Sequence, residues 1–374
     1  MRVESQLLRN FVCGGAVASL TLTFFDPVMW SAVGLFLGLG LLLLVPVAMS
    51  RAHTEPPQFF FALAWIVTAG LLAFAYGATH EFYNIRQIGF LLIGLVVGFL
   101  ISLVHVPQWA AWTPFGLLAL YFGGLAILGR DPADSLTQNS RNYVSVMLLA
   151  MFASAMLLSK PMTVRPLHVV MALLVLTLSI WGTGRAGVLC ALLLTVGLSA
   201  CLLFQGRLGV LRATLSVLVL CVLAVGMFVG VEVLQTQGYL DRFASRGFRD
   251  APRLSIIVSY FYQIEPSQLF FGKNYYHDPF MEKWGYNLHN SYLSVWAHLG
   301  LYYFAFVLAA VAICVRRLRK HPAIVIAVLA FAVRALTDTH LFGGQYDYIA
   351  LAALFMFLRD TPARVTRSPA TLRS

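Results

Sequence analysis

Charge is scarce in this chain. Only 11% of its 374 residues are Asp, Glu, Lys or Arg, against about 25% in an ordinary soluble domain. That shortfall excludes a water-soluble globular protein of this length, because most of the chain has no charge with which to face water. Acids are scarcer still: 15 Asp and Glu stand against 26 Lys and Arg, for a formal net charge of +11. The basic residues lie in short segments between apolar runs, where they orient membrane helices. They form no basic stripe, so nucleic acid is not an expected partner. The five cysteines (Cys13, Cys190, Cys201, Cys221 and Cys314) all fall in or at the edge of apolar runs with no C-x-x-C spacing. This excludes a disulfide framework and a thiolate metal site. No internal repeat relates the two halves of the chain, which weakens the case for an inverted-repeat transporter.

What the chain has in abundance is apolar sequence, 60% of its residues. It falls in blocks at 10–26, 29–49, 58–77, 86–105, 109–128, 142–159, 166–184, 186–204, 209–231, 290–314, 322–342 and 345–358. Most are long enough to cross a bilayer as helices, which takes about 17–25 residues. The expected fold is an all-α polytopic membrane protein of about 12 transmembrane helices. The first apolar stretch is too short and too rich in glycine for a cleaved signal, so an uncleaved first helix is expected.

The basic residues give a topology. With the N-terminus inside and the crossings alternating, the inner segments hold 15 Lys and Arg and the short outer loops only four: Arg86, Arg130, Arg141 and Arg185. Both termini are then expected in the cytoplasm. The chain divides into helices 1–9 at 1–231, a long periplasmic loop at 232–289, helices 10–12 at 290–358 and a cytoplasmic tail at 359–374.

The long loop breaks the regular layout, and long loops commonly carry function or structure of their own. Asp250 followed by Pro252 reads as a helix start. Leu254, Ile257, Val258 and Phe261 repeat with helical spacing, and Pro266 and Gly272 are expected to end that helix. It is expected to lie on the membrane or against the bundle.

Chemistry-bearing residues gather at the outer face. Arg185 opens a helix after Trp181-Gly-Thr-Gly, and Arg242, Arg246, Arg249 and Arg253 lie in the long loop. His289-Asn290 ends that loop, with Tyr292 just beyond. A planar guanidinium binds phosphate oxygens bidentately and keeps its charge, while imidazole is the usual general base near neutral pH. Attack on a glycosyl diphosphate needs both a base for the acceptor proton and cations for the departing diphosphate. Plainer readings stand beside these. Arg185 could anchor a helix end, the loop arginines could be solvated charges paired with Glu232, Asp241 or Asp250, and His289 could serve only at a helix start. Arg334 and Asp338, four apart in an apolar block, are expected to pair. No ligand spacing for a metal is present, so no metal or other cofactor is expected.

The stretch Leu288-His289-Asn290-Ser291-Tyr292-Leu293, followed by His298-Leu299-Gly300-Leu301, resembles the signature of the O-antigen ligase and polymerase superfamily. That signature is His followed by Asn, Ser or Gln, then nine residues, then Gly; here residues 291–299 separate Asn290 from Gly300. Tyr303 stands where the ligase version carries Thr, which weakens the choice of ligase over polymerase. Thr183-Gly-Arg185-Ala-Gly187 resembles the family's arginine at the start of a middle helix. Pro252-Arg253-Leu-Ser-Ile, with Leu269-Phe-Phe-Gly272, resembles its second arginine in the large periplasmic loop. The resemblance covers about residues 130–300 at motif level. It implies a metal-independent, inverting transfer of a glycan from undecaprenyl diphosphate. The acceptor would be lipid A-core in a ligase, or a second lipid-linked glycan in a polymerase. His289 would act as base or orient the acceptor, and Arg185 and Arg253, with Arg246 and Arg249 as weaker candidates, would hold the diphosphate. A membrane transporter of lipid-linked sugar is the alternative from a different class.

Overall fold

The computed structural model describes residues 2–26, 28–51, 57–79, 85–131, 134, 136, 140–182, 184–204, 251–262, 264–276, 278–283, 285–318, 320–339 and 344–359. The apolar block at 209–231, the loop arginines Arg242, Arg246 and Arg249, and residues 360–374 lie outside this set.

The described residues are helical throughout, without a strand. Eight helices precede the long loop: α1 Arg2–Leu22, α2 Met29–Arg51, α3 Pro57–Thr79, α4 Ile85–Leu103, α5 Gln108–Ile127, α6 Asn142–Ser159, α7 Pro166–Trp181 and α8 Arg185–Phe204. Three short helices follow: α9 Ala251–Tyr262, α10 Pro266–Phe271 and α11 Pro279–Glu282. The last three are α12 Ser291–Arg316, α13 Pro322–Arg334 and α14 Asp347–Arg359. Among the described residues four are long and apolar enough to cross a membrane: α5, α6, α8 and α12. Several shorter apolar helices accompany them. The chain is therefore an all-helical protein built as membrane proteins are, with backbone polar groups satisfied inside each helix.

Helix α6 is the centre. Every residue from Val144 to Ser159 is buried, as expected of a helix that is hydrophobic on all sides. It is surrounded by α1, α4, α5, α7, α8, α13 and α14. Helices α4 and α14 pack closely. A Cβ at Gly94 would stand 2.8 Å from Asp347 Cβ, and one at Gly98 would stand 3.0 Å from the Ala352 nitrogen. Two glycines four apart thus form a groove that admits the backbone of α14, the small-residue mode of helix packing in membranes.

The bundle has two chemically different ends. At one end, three cations close helix termini. Lys160 donates to the Ser102 carbonyl at 2.8 Å and Arg359 to Ser102 Oγ at 3.1 Å. Arg165 donates to Gln108 Oε1 at 2.7 Å. Lys160 and Arg359 sit at the C-termini of α6 and α14, where the helix dipole favours positive charge. At the other end, the C-terminus of α1 meets the starts of α6 and α14 through Phe24, whose ring centroid lies 5.1 Å from Tyr143 and 5.9 Å from Tyr346.

The observed boundaries follow the apolar blocks closely, with three differences. Helix α1 begins at Arg2 rather than at the first apolar run. Helix α13 stops at Arg334 and tightens into a 3-10 turn, Ala335–Thr337, because Arg334 turns to bind Thr337 and Asp338. In the long loop, Pro266 does not end a helix already running. It opens the separate helix α10, which Gly272 ends. The face of α9 also differs from the expected stripe: Ile256 and Tyr260 are buried, while Val258 and Phe261 are exposed. A small core with Tyr275, Met281 and Leu288 captures the Ile256 side, and no local periodicity encodes that partner.

Candidate functional site

The His-Asn element sits where the loop becomes α12. Asn290 is the N-cap: its side chain accepts from the Leu293 nitrogen at 3.0 Å, an interaction worth about 1 kcal/mol. His289 is half-buried with φ of 49°, a left-handed conformation that costs a non-glycine residue about 1–2 kcal/mol. Its backbone N–H donates to Asn287 Oδ1 at 2.8 Å. One asparagine closes the turn before His289 and another starts the helix after it.

The start of α12 is bolted to the end of α13. Ser291 Oγ donates to the Asp338 carbonyl at 2.6 Å, and Tyr292 donates to the Ala332 carbonyl at 3.0 Å. Arg334 and Asp338 do pair, at 3.2 Å, with side chains 3% and 9% exposed. Arg334 also donates to Thr337 Oγ1 at 2.7 Å and reaches the Asn142 carbonyl at 3.5 Å. That carbonyl is at the start of α6, which also receives the start of α8. A Cβ at Gly184 would stand 2.9 Å from Asn142 Oδ1, and one at Gly187 would stand 2.1 Å from Ser145 Oγ. The glycines flanking Arg185 therefore let α8 press on α6, and they carry the half-buried Arg185 to the same end of the bundle as His289. Arg253 lies in the first turn of α9. Arg246 and Arg249 lie outside the described residues.

The signature glycine has a clear steric reason. Gly300 breaks α12 with φ of 74° and ψ of 177°. A Cβ there would stand 2.2 Å from the Phe270 carbonyl oxygen. Opposite it, Gly272 has φ of 95°, and its Cβ would meet the Ala297 oxygen at 2.1 Å. The Lys273 N–H donates to that same Ala297 oxygen at 3.1 Å, and Trp296 donates to the Leu269 carbonyl at 2.7 Å. The break in α12 thus exposes a carbonyl that the loop satisfies, and α10 is held against α12 by main-chain contact.

This clasp carries the next loop residues over α12. Tyr275 is buried, with its hydroxyl 3.4 Å from His298 Nε2, and burial pushes its phenol well above the ordinary range. His298 Nδ1 lies 2.8 Å from the Ser294 carbonyl. A carbonyl only accepts, so Nδ1 carries the proton, and Nε2 faces the Tyr275 hydroxyl. Lys273 lies under the same loop, over the Tyr260 ring at 5.5 Å and 3.4 Å from the Tyr260 carbonyl. Its burial lowers its pKa, and Asp278 and Glu265 offset part of that shift.

A cavity of about 370 Å³ opens between these elements, lined by Tyr143, Tyr275, Tyr276, Asn287, Ser294 and His298 among others. His289 directly follows two of its lining residues, Asn287 and Leu288. Phe24 also lines this cavity, and the adjoining Leu22 and Phe25 line a second, apolar hollow of about 440 Å³ with Pro114, Leu117 and Met151. Polar and apolar hollows therefore flank the same end of α1.

The sequence reading missed His298, Tyr275, Tyr276 and Gln87. Their one signal was the i, i+4 spacing of Ser294 and His298, which places both on one face of α12. Among the described residues no group of three His, Cys, Asp or Glu side chains is placed to hold a metal ion. No protein-family model, no curated protein and no solved structure matches this chain.

Proposed function

We propose that this protein is a membrane glycosyltransferase of the O-antigen ligase type. It would move a glycan from undecaprenyl diphosphate to an acceptor hydroxyl, that of lipid A-core, at the periplasmic face of a bacterial inner membrane. The observation that carries this reading is the pair of hollows flanking the end of α1, one polar and one apolar. A lipid-linked glycan has the same two-part character. The basic end of the bundle, with Lys160, Arg165 and Arg359, would face the cytoplasm. About a dozen crossings then follow from the apolar blocks.

In the proposed reaction His289 takes the proton of the acceptor hydroxyl. The acceptor oxygen attacks the anomeric carbon from the face opposite the diphosphate, the carbon–oxygen bond to phosphate breaks, and undecaprenyl diphosphate leaves with the bonding electrons. Arg185 and Arg253 would stabilise the charge that develops on the leaving group. The configuration at the anomeric carbon inverts, and no cofactor takes part. A polysaccharide polymerase would run the same chemistry with a second lipid-linked glycan as acceptor, and Tyr303 at the signature position keeps this reading beside the first. A transporter of lipid-linked sugar would place buried charge at mid-membrane, whereas Arg334 and Asp338 pair at a helix end.

The test is reconstitution of the purified protein with undecaprenyl-diphosphate glycan and either lipid A-core or further donor. Transfer to lipid A-core supports a ligase and chain growth a polymerase; no diphosphate release with either acceptor would reject both. His289→Ala is expected to abolish transfer, and Arg253→Lys to be poor, because an ammonium cannot form the bidentate fork. Normal turnover by both variants would overturn the site.

A further inference from the structure

The polar cavity beside His289 has an unusual combination of walls. Among the described residues no Asp, Glu, Lys or Arg lines it. Two buried cations of the described residues are engaged elsewhere, Arg334 with Asp338 and Thr337 and Lys273 with Tyr260. Among the described residues the wall offers an anion no counter-charge, and burying a charge unpaired is costly. An apolar ligand fits no better, because hydroxyls, amides and an imidazole supply much of the wall.

What the walls offer is flat aromatic surface with hydrogen-bonding groups at its edges. Tyr275 and Tyr276 stack at 5.0 Å and 23°, and Tyr276 meets Tyr286 at 5.3 Å. Gln87 and Gln345 line the cavity, and Gln87 Oε1 is buried without a hydrogen bond. A buried amide oxygen left without a donor is costly, so its persistence calls for a partner. A hydroxyl group supplies that donor. The volume, about 370 Å³, falls at the lower end of small-molecule sites, about 300–1,000 Å³.

We propose that this cavity is a binding subsite for an uncharged sugar ring, whose apolar face lies on the Tyr275–Tyr276–Tyr286 surface and one of whose hydroxyls bonds Gln87. The assignment rests on the glycan-transfer reading for its context but not for its test. The ring belongs either to the donor glycan or to the acceptor, and the two share this chemistry.

The full-length protein in nanodiscs is titrated with a panel of uncharged hexoses, 2-acetamido sugars and their disaccharides, followed by saturation-transfer NMR, with inorganic diphosphate as the charged control. At least one uncharged sugar is expected to bind saturably with Kd on the order of 1 mM, undisturbed by diphosphate. Tyr276→Ala and Gln87→Ala, both at incompletely buried positions, are expected to weaken binding about tenfold or more, equivalent to about 1.4 kcal/mol, with unchanged melting temperature. Met162→Ser at the opposite end of the bundle is expected to have no effect. Displacement of the bound sugar by undecaprenyl-diphosphate glycan assigns the ring to the donor, and displacement by lipid A-core assigns it to the acceptor. Saturable binding that neither displaces keeps the sugar site and rejects the transfer reading. Failure of the whole panel to saturate, indifference of binding to both variants, or displacement by diphosphate overturns the proposal.

Discussion

Gly300 in α12 and Phe270 in α10 touch through main chain: a Cβ on Gly300 would lie 2.2 Å from the Phe270 carbonyl oxygen. The contact holds the loop that carries Tyr275 and Tyr276 over His298. Gly300→Ala must both adopt φ near 74° and push α10 away, so it is expected to destabilise by about 2–4 kcal/mol. Gly116 has nothing within 4 Å of its Cβ position, and Gly116→Ala is expected to stabilise by about 1 kcal/mol. Thermal unfolding in detergent checks both. Equal melting temperatures for the two variants would show that the signature glycine has no steric duty here.

The Arg334–Asp338 pair is expected to behave as a buried pair. Removing one partner strands the other, so Arg334→Met and Asp338→Leu should each cost about 3–5 kcal/mol. The double variant should recover most of that loss, because neither charge is then left alone. Ser291 keeps its bond in all three, since it donates to the main-chain oxygen of Asp338. A double-mutant cycle on unfolding free energy reads the coupling. Additive losses would mean that the two charges do not depend on each other.

The two ends of the bundle are expected on opposite sides of the membrane. Met162 is 62% exposed next to Lys160 and Arg165, and Glu282 is exposed at the end of α11. In a cysteine-free background, a membrane-impermeant maleimide should label Glu282→Cys in intact spheroplasts. It should reach Met162→Cys only after permeabilisation. The reverse pattern would put the His289 end in the cytoplasm and remove the basis for a periplasmic transfer.

The helices were legible because their cause is local. Blocks such as 142–159, 186–204 and 290–314 match α6, α8 and α12 to within two residues at each end, since a chain that must satisfy its backbone away from water forms helices wherever the apolar run is long enough. The candidate site was legible in part. His289 and Asn290 could be picked out by spacing, and Arg185 by its place at a helix start. The face that α9 buries, the clasp of Gly272 and Gly300, and the partners of Arg334 were not.

The sequence by itself determined the all-helical character, the alternation of apolar runs with basic segments, and the positive charge of one set of loops. Each depends on residues adjacent in the chain and on their affinity for water or hydrocarbon. Only the tertiary structure decided that Tyr143, Tyr275, Gln87 and His298 share one cavity. Those residues come from elements as far apart in sequence as α4 and α12. The close approach of helices at small residues brings them together, and that is a property of packed surfaces rather than of any one segment.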